Sequence, residues 1–281
     1  MTGRHKLFAT WKNHVSRAQS LALAAAAVEA VASTEGLFEV SVCPSMTALA
    51  SVAQVCSDKV AVTAQNMGWD DSRSLTGETS AADLTDIGCR YVILGHSERR
   101  HYLGETNAMI ARKLQTAFAH RLIPILCIGD TLDEHRADRT EEAIQAQLEV
   151  LLRIHQPTSG RFLIAYEPAW AISTSEHARE CTPTEASDRH RFIRSVIARE
   201  LGAQLAADTT LLYGGSITAG NADGYFTQPD IDGGLVGAAS QDLSSLQALI
   251  TATTTTYQPS HVDSPLCQAV VRHSDFPEFR F

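Results

Sequence analysis

Short apolar runs alternate with longer helical stretches from one end of the chain to the other. The runs Leu7–Trp11, Phe38–Cys43, Val60–Ala64, Tyr91–Leu94, Ile123–Ile128, Phe162–Tyr166, Thr210–Tyr213 and Gly233–Val236 are continuously apolar or nearly so. That pattern suits strands buried on both faces, as a parallel sheet requires. Helix signals lie between them. Ser20–Ser33 is rich in Ala and Leu, both strong helix formers. Thr131 with Glu134 spells a capping box, and Thr182-Pro183-Thr184-Glu185 adds Pro at the first helical position. Eight such β-α units predict a closed barrel of parallel strands, with a doubly wound open sheet as the alternative.

No Pro/Gly/Ser linker divides the chain, so residues 1–256 read as one domain. The stretch 257–281 departs from the alternation. It carries Pro259, Pro265 and Pro277 and closes on Phe276, Phe279 and Phe281, and reads as an irregular C-terminal extension.

Composition narrows the function classes. The formal charge of −9 speaks against nucleic acid or an anionic membrane as partner. An anionic small substrate would then need a locally positive pocket. The six cysteines are scattered without a C-x-x-C pair, which reads as reduced thiols in a cytoplasmic protein. No metal-ligand spacing is present, and the apolar stretch Leu21–Ala32 is too short to span a bilayer.

The chemistry-bearing residues cluster at strand ends, which is where barrels of this kind carry their sites. Glu167 follows the sixth run and precedes a Pro168–Trp170 loop, a setting for a general base. Taken alone it reads rather as an ordinary loop-entry carboxylate in an ion pair. Lys12, just past the first run, can attract a phosphate and stabilise an oxyanion, although in isolation it reads as a surface lysine. His96 ends the fourth run within Gly95-His96-Ser97-Glu98-Arg99-Arg100; a neutral imidazole there can polarise a carbonyl. Glu98, Arg99 and Arg100 read as ion pairs bracing the site. The glycine turns Gly214-Gly215-Ser216 and Gly233-Gly234-Leu235-Val236-Gly237-Ala238 fall where backbone N–H groups can hold a phosphate.

Together these segments resemble the triosephosphate isomerase family over about Phe8 to Leu249. Ala64-Gln65-Asn66, Thr76-Gly77-Glu78, Leu103-Gly104-Glu105, Cys127-Ile128-Gly129 and Thr182-Pro183 add to the match. The resemblance implies a TIM (β/α)8 barrel and an isomerase of glycolysis and gluconeogenesis. Its substrates would be dihydroxyacetone phosphate and D-glyceraldehyde 3-phosphate, interconverted without cofactor or metal. By resemblance, Glu167 is the base, His96 the electrophile, Lys12 the cation and Glu98 the residue that positions Lys12. Thr10, Ser173, Ser216, Gly237 and Ala238 would hold substrate. Pro168, Ala169, Trp170, Ala171, Ile172, Ser173, Thr174 and Ser175 would form a lid, and Thr76 would enter a partner subunit in a homodimer.

Several positions depart from that family's usual pattern. Thr10 stands in place of Asn, Ser173-Thr174-Ser175-Glu176 in place of Gly-Thr-Gly-Lys, and Ala238 in place of a second Gly. Gly234 replaces a larger apolar residue, and Gln241 and Asn13-His14 are atypical. These changes raise an alternative: the same chemistry on a tetrulose phosphate (L-erythrulose 1-phosphate to D-erythrulose 4-phosphate), with Thr10 and Gly234 making room. A third reading is a barrel that binds a phosphosugar or a partner protein without turnover.

Overall fold

The structure is a computed structural model that describes residues 5–33, 38–56, 58–70, 75–154, 158, 160–171 and 179–256. Eight parallel strands close on themselves in chain order: β1 (His5–Thr10), β2 (Phe38–Cys43), β3 (Ala61–Ala64), β4 (Tyr91–Leu94), β5 (Ile123–Ile128), β6 (Leu163–Tyr166), β7 (Thr210–Tyr213) and β8 (Gly233–Val236). Closure is made by β1 against β8, with Lys6 opposite Gly233 and Ala9 opposite Val236. The closed barrel predicted from the alternation is therefore present, and the open sheet is not.

The helices wrap the outside: α1 (Arg17–Ala32), α2 (Met46–Cys56), α3 (Ala81–Ile87), α4 (Ser97–Leu103), α5 (Asn107–Ala119), α6 (Leu132–Arg136), α7 (Thr140–Leu152), α8 (Pro183–Leu201), α9 (Ala203–Asp208), α10 (Ala222–Phe226) and α11 (Leu243–Thr256). Two begin as their capping boxes predict: Thr131 with Glu134 opens α6, and Thr182 with Glu185 opens α8 with Pro183 at its start. The first helix begins earlier than its apolar pattern suggests, because Ser16 and Gln19 form a further capping box.

Strand alternation divides the core in two. Phe8, Cys43, Tyr91, Ile93, Ile125, Cys127, Leu163, Ala165, Leu212 and Leu235 fill the barrel interior. Their neighbours, such as Leu7, Ala9, Val42, Leu94, Leu126, Tyr166 and Tyr213, face the helices. This two-residue period decides which strand-end residues look into the mouth. Phe8 and Ala165 point inward, so Thr10 and Glu167 fall in the inward phase.

The first strand stops at Thr10 rather than running to Trp11 as the apolar pattern suggests. The cause is Lys12, whose φ of 48° turns the chain away from extended geometry. Residues 257–281, read above as an extension, lie outside the described residues. Among the described residues, no helix is long and apolar enough to cross a membrane.

Candidate active site at the barrel mouth

His96 reaches the mouth only because the chain breaks its alternation. Ile93 points inward and Leu94 outward, so an uninterrupted strand would turn residue 96 outward. Gly95 adopts a φ of +73° and resets the phase. A side chain there would also meet the guanidinium of Arg100 and the tip of Ile110, each at 2.8 Å. His96 then caps α4, its Nδ1 accepting the N–H of Glu98 at 3.2 Å. An accepting Nδ1 carries no proton, so the imidazole is neutral with its hydrogen on Nε2. That hydrogen faces Glu167, whose Oε1 lies 3.1 Å from Nε2.

Glu167 is 2% exposed and tightly held. Its N–H donates to Ile128 O at 2.7 Å, and its Oε2 accepts the N–H of Ser97 at 2.9 Å. Two glycines press against it. A Cβ on Gly129 would fall 1.9 Å from the Glu167 carbonyl oxygen, and one on Gly214 would fall 2.7 Å from its Cγ. The adjoining Cys127 thiol is pushed well above its usual range by burial and then by the Glu167 charge, so it stays protonated.

Lys12 Nζ lies 2.6 Å from Glu98 Oε1. The strained Lys12 backbone is held by Gln65, whose Nε2 donates to both Lys12 O and Cys43 O at 2.9 Å. Thr10, His96 and Glu167 share with Lys12 a cavity of about 90 Å³, completed by Gly214–Thr218, Leu235 and Gly237–Ala239. Ser216, Gly237 and Ala238 thus stand together on the side facing Lys12. A 3₁₀ turn (Ala238–Ser240) begins there.

Three readings need correction or extension. Arg99 pairs with Glu105 at 2.7 Å as expected of a brace. Arg100 instead donates to the carbonyls of Gly95 (2.7 Å) and Cys127 (3.1 Å) and to Asn107, tying β4 to β5 without a carboxylate. Gly234 makes no room for substrate, since its missing Cβ points outward at Ile217 (2.8 Å) and Phe226 (3.1 Å). Of the expected lid, Pro168 to Ala171 are described, with a 3₁₀ turn over Ala169–Ala171. Ile172, Ser173, Thr174 and Ser175 lie outside the described residues.

Asp130 is an anchoring residue beside the site that sequence reading did not single out. It is 1% exposed, and its carboxylate accepts from Thr140 Oγ1 (2.6 Å), Tyr166 OH (3.1 Å) and Trp170 Nε1 (3.1 Å). Its carbonyl also accepts the N–H of Ala169 at 3.0 Å. The chain after Glu167 is therefore anchored to the end of β5. Its position beside Gly129 at a strand end is the signal that marks it.

A wider cleft of about 740 Å³ opens beside the cavity and shares Thr10, Lys12 and His96 with it. Tyr102 (73% exposed), Leu103 (65%) and Met46 (43%) rim it. Thr76 sits exposed on a turn closed by Glu78 N–H to Leu75 O, with Gly77 at a φ of +90°. Among the described residues, no group of three or more His, Cys, Asp and Glu could hold a metal ion.

A family model described as triosephosphate isomerase matches residues 6–253. A protein of Symbiobacterium thermophilum named triosephosphate isomerase is 42% identical over 246 residues, covering 87% of this chain and 94% of the relative. Relatives of the same name from Bacteroides fragilis (39% identity; 86% of this chain, 96% of theirs) and Chloroflexus aurantiacus (44%; 75% and 84%) show the same pattern.

Proposed function

The chain belongs to the triosephosphate isomerase family and interconverts dihydroxyacetone phosphate and D-glyceraldehyde 3-phosphate, and we propose that Glu167, His96 and Lys12 carry that reaction. The observation that supports this most directly is the 3.1 Å approach of Glu167 Oε1 to the protonated Nε2 of a neutral His96, at a mouth shared with Lys12.

Glu167 takes the proton from the carbon beside the substrate carbonyl, leaving an enediolate. His96 Nε2–H hydrogen-bonds to the two neighbouring oxygens and moves protons between them. The Lys12 ammonium offsets the negative charge that develops there, and Glu98 fixes the ammonium. Protonated Glu167 then returns its proton to the adjacent carbon. The backbone of Ser216, Gly237 and Ala238, with Ser173 from the lid, holds the phosphate. Pro168 to Ser175 exclude water from an intermediate that would otherwise lose phosphate. No cofactor takes part, because the substrate carries its own acidic C–H bond.

The catalytic unit is one domain, residues 1–256. It works as a homodimer in which Thr76 enters the 740 Å³ cleft of the partner, a surface whose exposed Tyr102, Leu103 and Met46 suit burial. The compartment is the cytoplasm, in keeping with scattered cysteines that form no C-x-x-C pair.

The tetrulose phosphate reading now rests on Thr10, which is 4% exposed and lines the cavity, because Gly234 faces outward. Measuring kcat/KM for dihydroxyacetone phosphate and L-erythrulose 1-phosphate side by side decides between them. Strong triose turnover is expected. Tetrulose turnover far above it would overturn the substrate assignment, and silence on both would overturn the catalytic roles.

A further inference from the structure

The fifth strand is paired unequally on its two sides. Against β6 its ladder runs on to Ile128 opposite Tyr166, but against β4 it stops at Leu126 opposite Leu94. Gly95 is the cause, since its φ of +73° takes the chain out of β4 to bring His96 to the mouth. Continued in register, that ladder would set residue 95 opposite Cys127 and residue 97 opposite Gly129. The Cys127 carbonyl and both backbone groups of Gly129 are therefore left without a strand to pair with.

Side chains from the helix layer take the place of that strand. The Arg100 guanidinium donates to Cys127 O at 3.1 Å and to Gly95 O at 2.7 Å. Gln147 engages Gly129 twice: its Nε2 donates to Gly129 O at 2.7 Å, and its Oε1 accepts the Gly129 N–H at 3.0 Å. Asn107 joins the two, accepting from Arg100 at 2.7 Å and donating to Ala146 O, one residue before Gln147, at 3.1 Å. Gln147 stands on α7 at helical spacing from the buried Ile144 and Leu151, so an amide interrupts an otherwise apolar face.

We propose that Gln147 is a positioning residue for the isomerisation, acting through Gly129 on Glu167. Ile128 O accepts the Glu167 N–H at 2.7 Å and Asp130 O accepts the Ala169 N–H at 3.0 Å, so the residues on both sides of Gly129 hold the base's own segment. Gly129 itself stands so close that a Cβ on it would fall 1.9 Å from Glu167 O. A shift of the Gly129 peptide is therefore passed directly to Glu167. Through Asn107 and Arg100 the same run of hydrogen bonds reaches Gly95, the residue before His96. One network thus sets the spacing of base and electrophile.

The inference rests on the isomerase reading, and its test separates the two. Gln147→Met, which matches the side chain in length, and Gln147→Glu are made in the full chain, and kcat, KM and thermal midpoint are measured. Gln147→Met should lower kcat roughly tenfold with KM little changed, because the base is misplaced while the phosphate-holding groups are not. Its deuterium isotope effect, with substrate labelled at the carbon that gives up its proton, should rise as proton removal becomes the slow step. Gln147→Glu supplies the second readout. A protonated carboxyl reproduces both bonds to Gly129, whereas a carboxylate keeps only the bond from its N–H. Its kcat relative to wild type should therefore recover as pH is lowered, which Gln147→Met should not show. An unchanged kcat in Gln147→Met, or a loss that merely follows the melting temperature, would overturn the proposal. So would a pH-independent ratio in Gln147→Glu. If the wild type turns over no triose phosphate, the isomerase reading fails by itself. Amide exchange at the Glu167 N–H then still reads the positioning: it should quicken in Gln147→Met, and unchanged exchange would overturn the proposal.

Discussion

Gly214 leaves the space that the Glu167 side chain occupies: a Cβ on residue 214 would fall 2.7 Å from Glu167 Cγ and 3.2 Å from Tyr166 O. The glycine is thus part of how the carboxylate is aimed. Gly214→Ala should displace the Glu167 side chain while leaving most of the barrel intact. We expect kcat to fall by about tenfold or more with a smaller change in KM, since a small misplacement of a reacting group is costly. Steady-state kinetics with a melting curve checks this, and full activity would show that Glu167 can move aside freely.

Glu167→Gln keeps the size of the side chain and removes the base. The expected loss in kcat is about a thousandfold, the middle of the range for general base catalysis. Binding of a phosphate-bearing competitive inhibitor should stay close to normal, because the phosphate is held by other groups. Near-normal kcat would remove Glu167 from the mechanism.

Gln65 acts on the active site through the backbone. Its amide is the donor to the carbonyl of Lys12, a residue held at positive φ, and to Cys43 O. Gln65→Leu leaves both carbonyls without that donor, costing about 1–3 kcal/mol of stability. A rise in KM should accompany it, because Lys12 loses its fixed position. A lower denaturation midpoint with unchanged KM would confine Gln65 to a structural role.

Acid stability should depend on Glu39 at the foot of the barrel. Burial alone would raise its pKa, yet hydrogen bonds from Lys6 and Tyr91 and the charges of Lys6 and Arg90 carry it below the usual 4.5. A carboxylate whose folded pKa is depressed stabilises the native state above its unfolded pKa. That contribution is lost as pH falls from about 4.5 through the lower folded value. Glu39→Gln should therefore show a flatter stability profile on the acid side, measured by urea denaturation between neutral pH and pH 3. A slope equal to that of the wild type would refute the assignment.

Tyr102 is 73% exposed beside the cleft that Thr76 of a second copy would enter. The wild type should sediment as a dimer at micromolar concentration, and Tyr102→Asp should shift it towards monomer with a loss of activity. A wild-type monomer of full activity would overturn the homodimer.

Much of this molecule can be read directly from its residues. Runs such as Ile123–Ile128 are apolar on both faces, which only a sheet covered by helices tolerates, and the strand bounds follow within a residue or two. Capping boxes at Thr131 and Thr182 place two helix starts by local hydrogen bonding alone. Thr10 and Glu167 converge because each stands two residues beyond an inward-facing strand residue.

Contacts between distant segments were decided only in three dimensions. The sequence does not show that Gly95 adopts a positive φ and turns His96 inward, nor that Arg100 prefers carbonyls to a carboxylate. Asp130 reads as an ordinary loop carboxylate until Tyr166, Trp170 and Thr140 are brought around it. The direction of Gly234 was likewise settled by Ile217 and Phe226. Local periodicity follows from neighbouring residues along one strand or helix, so it is written into the chain. Which side chains meet across the barrel mouth depends on closure of all eight strands, and no local pattern encodes that.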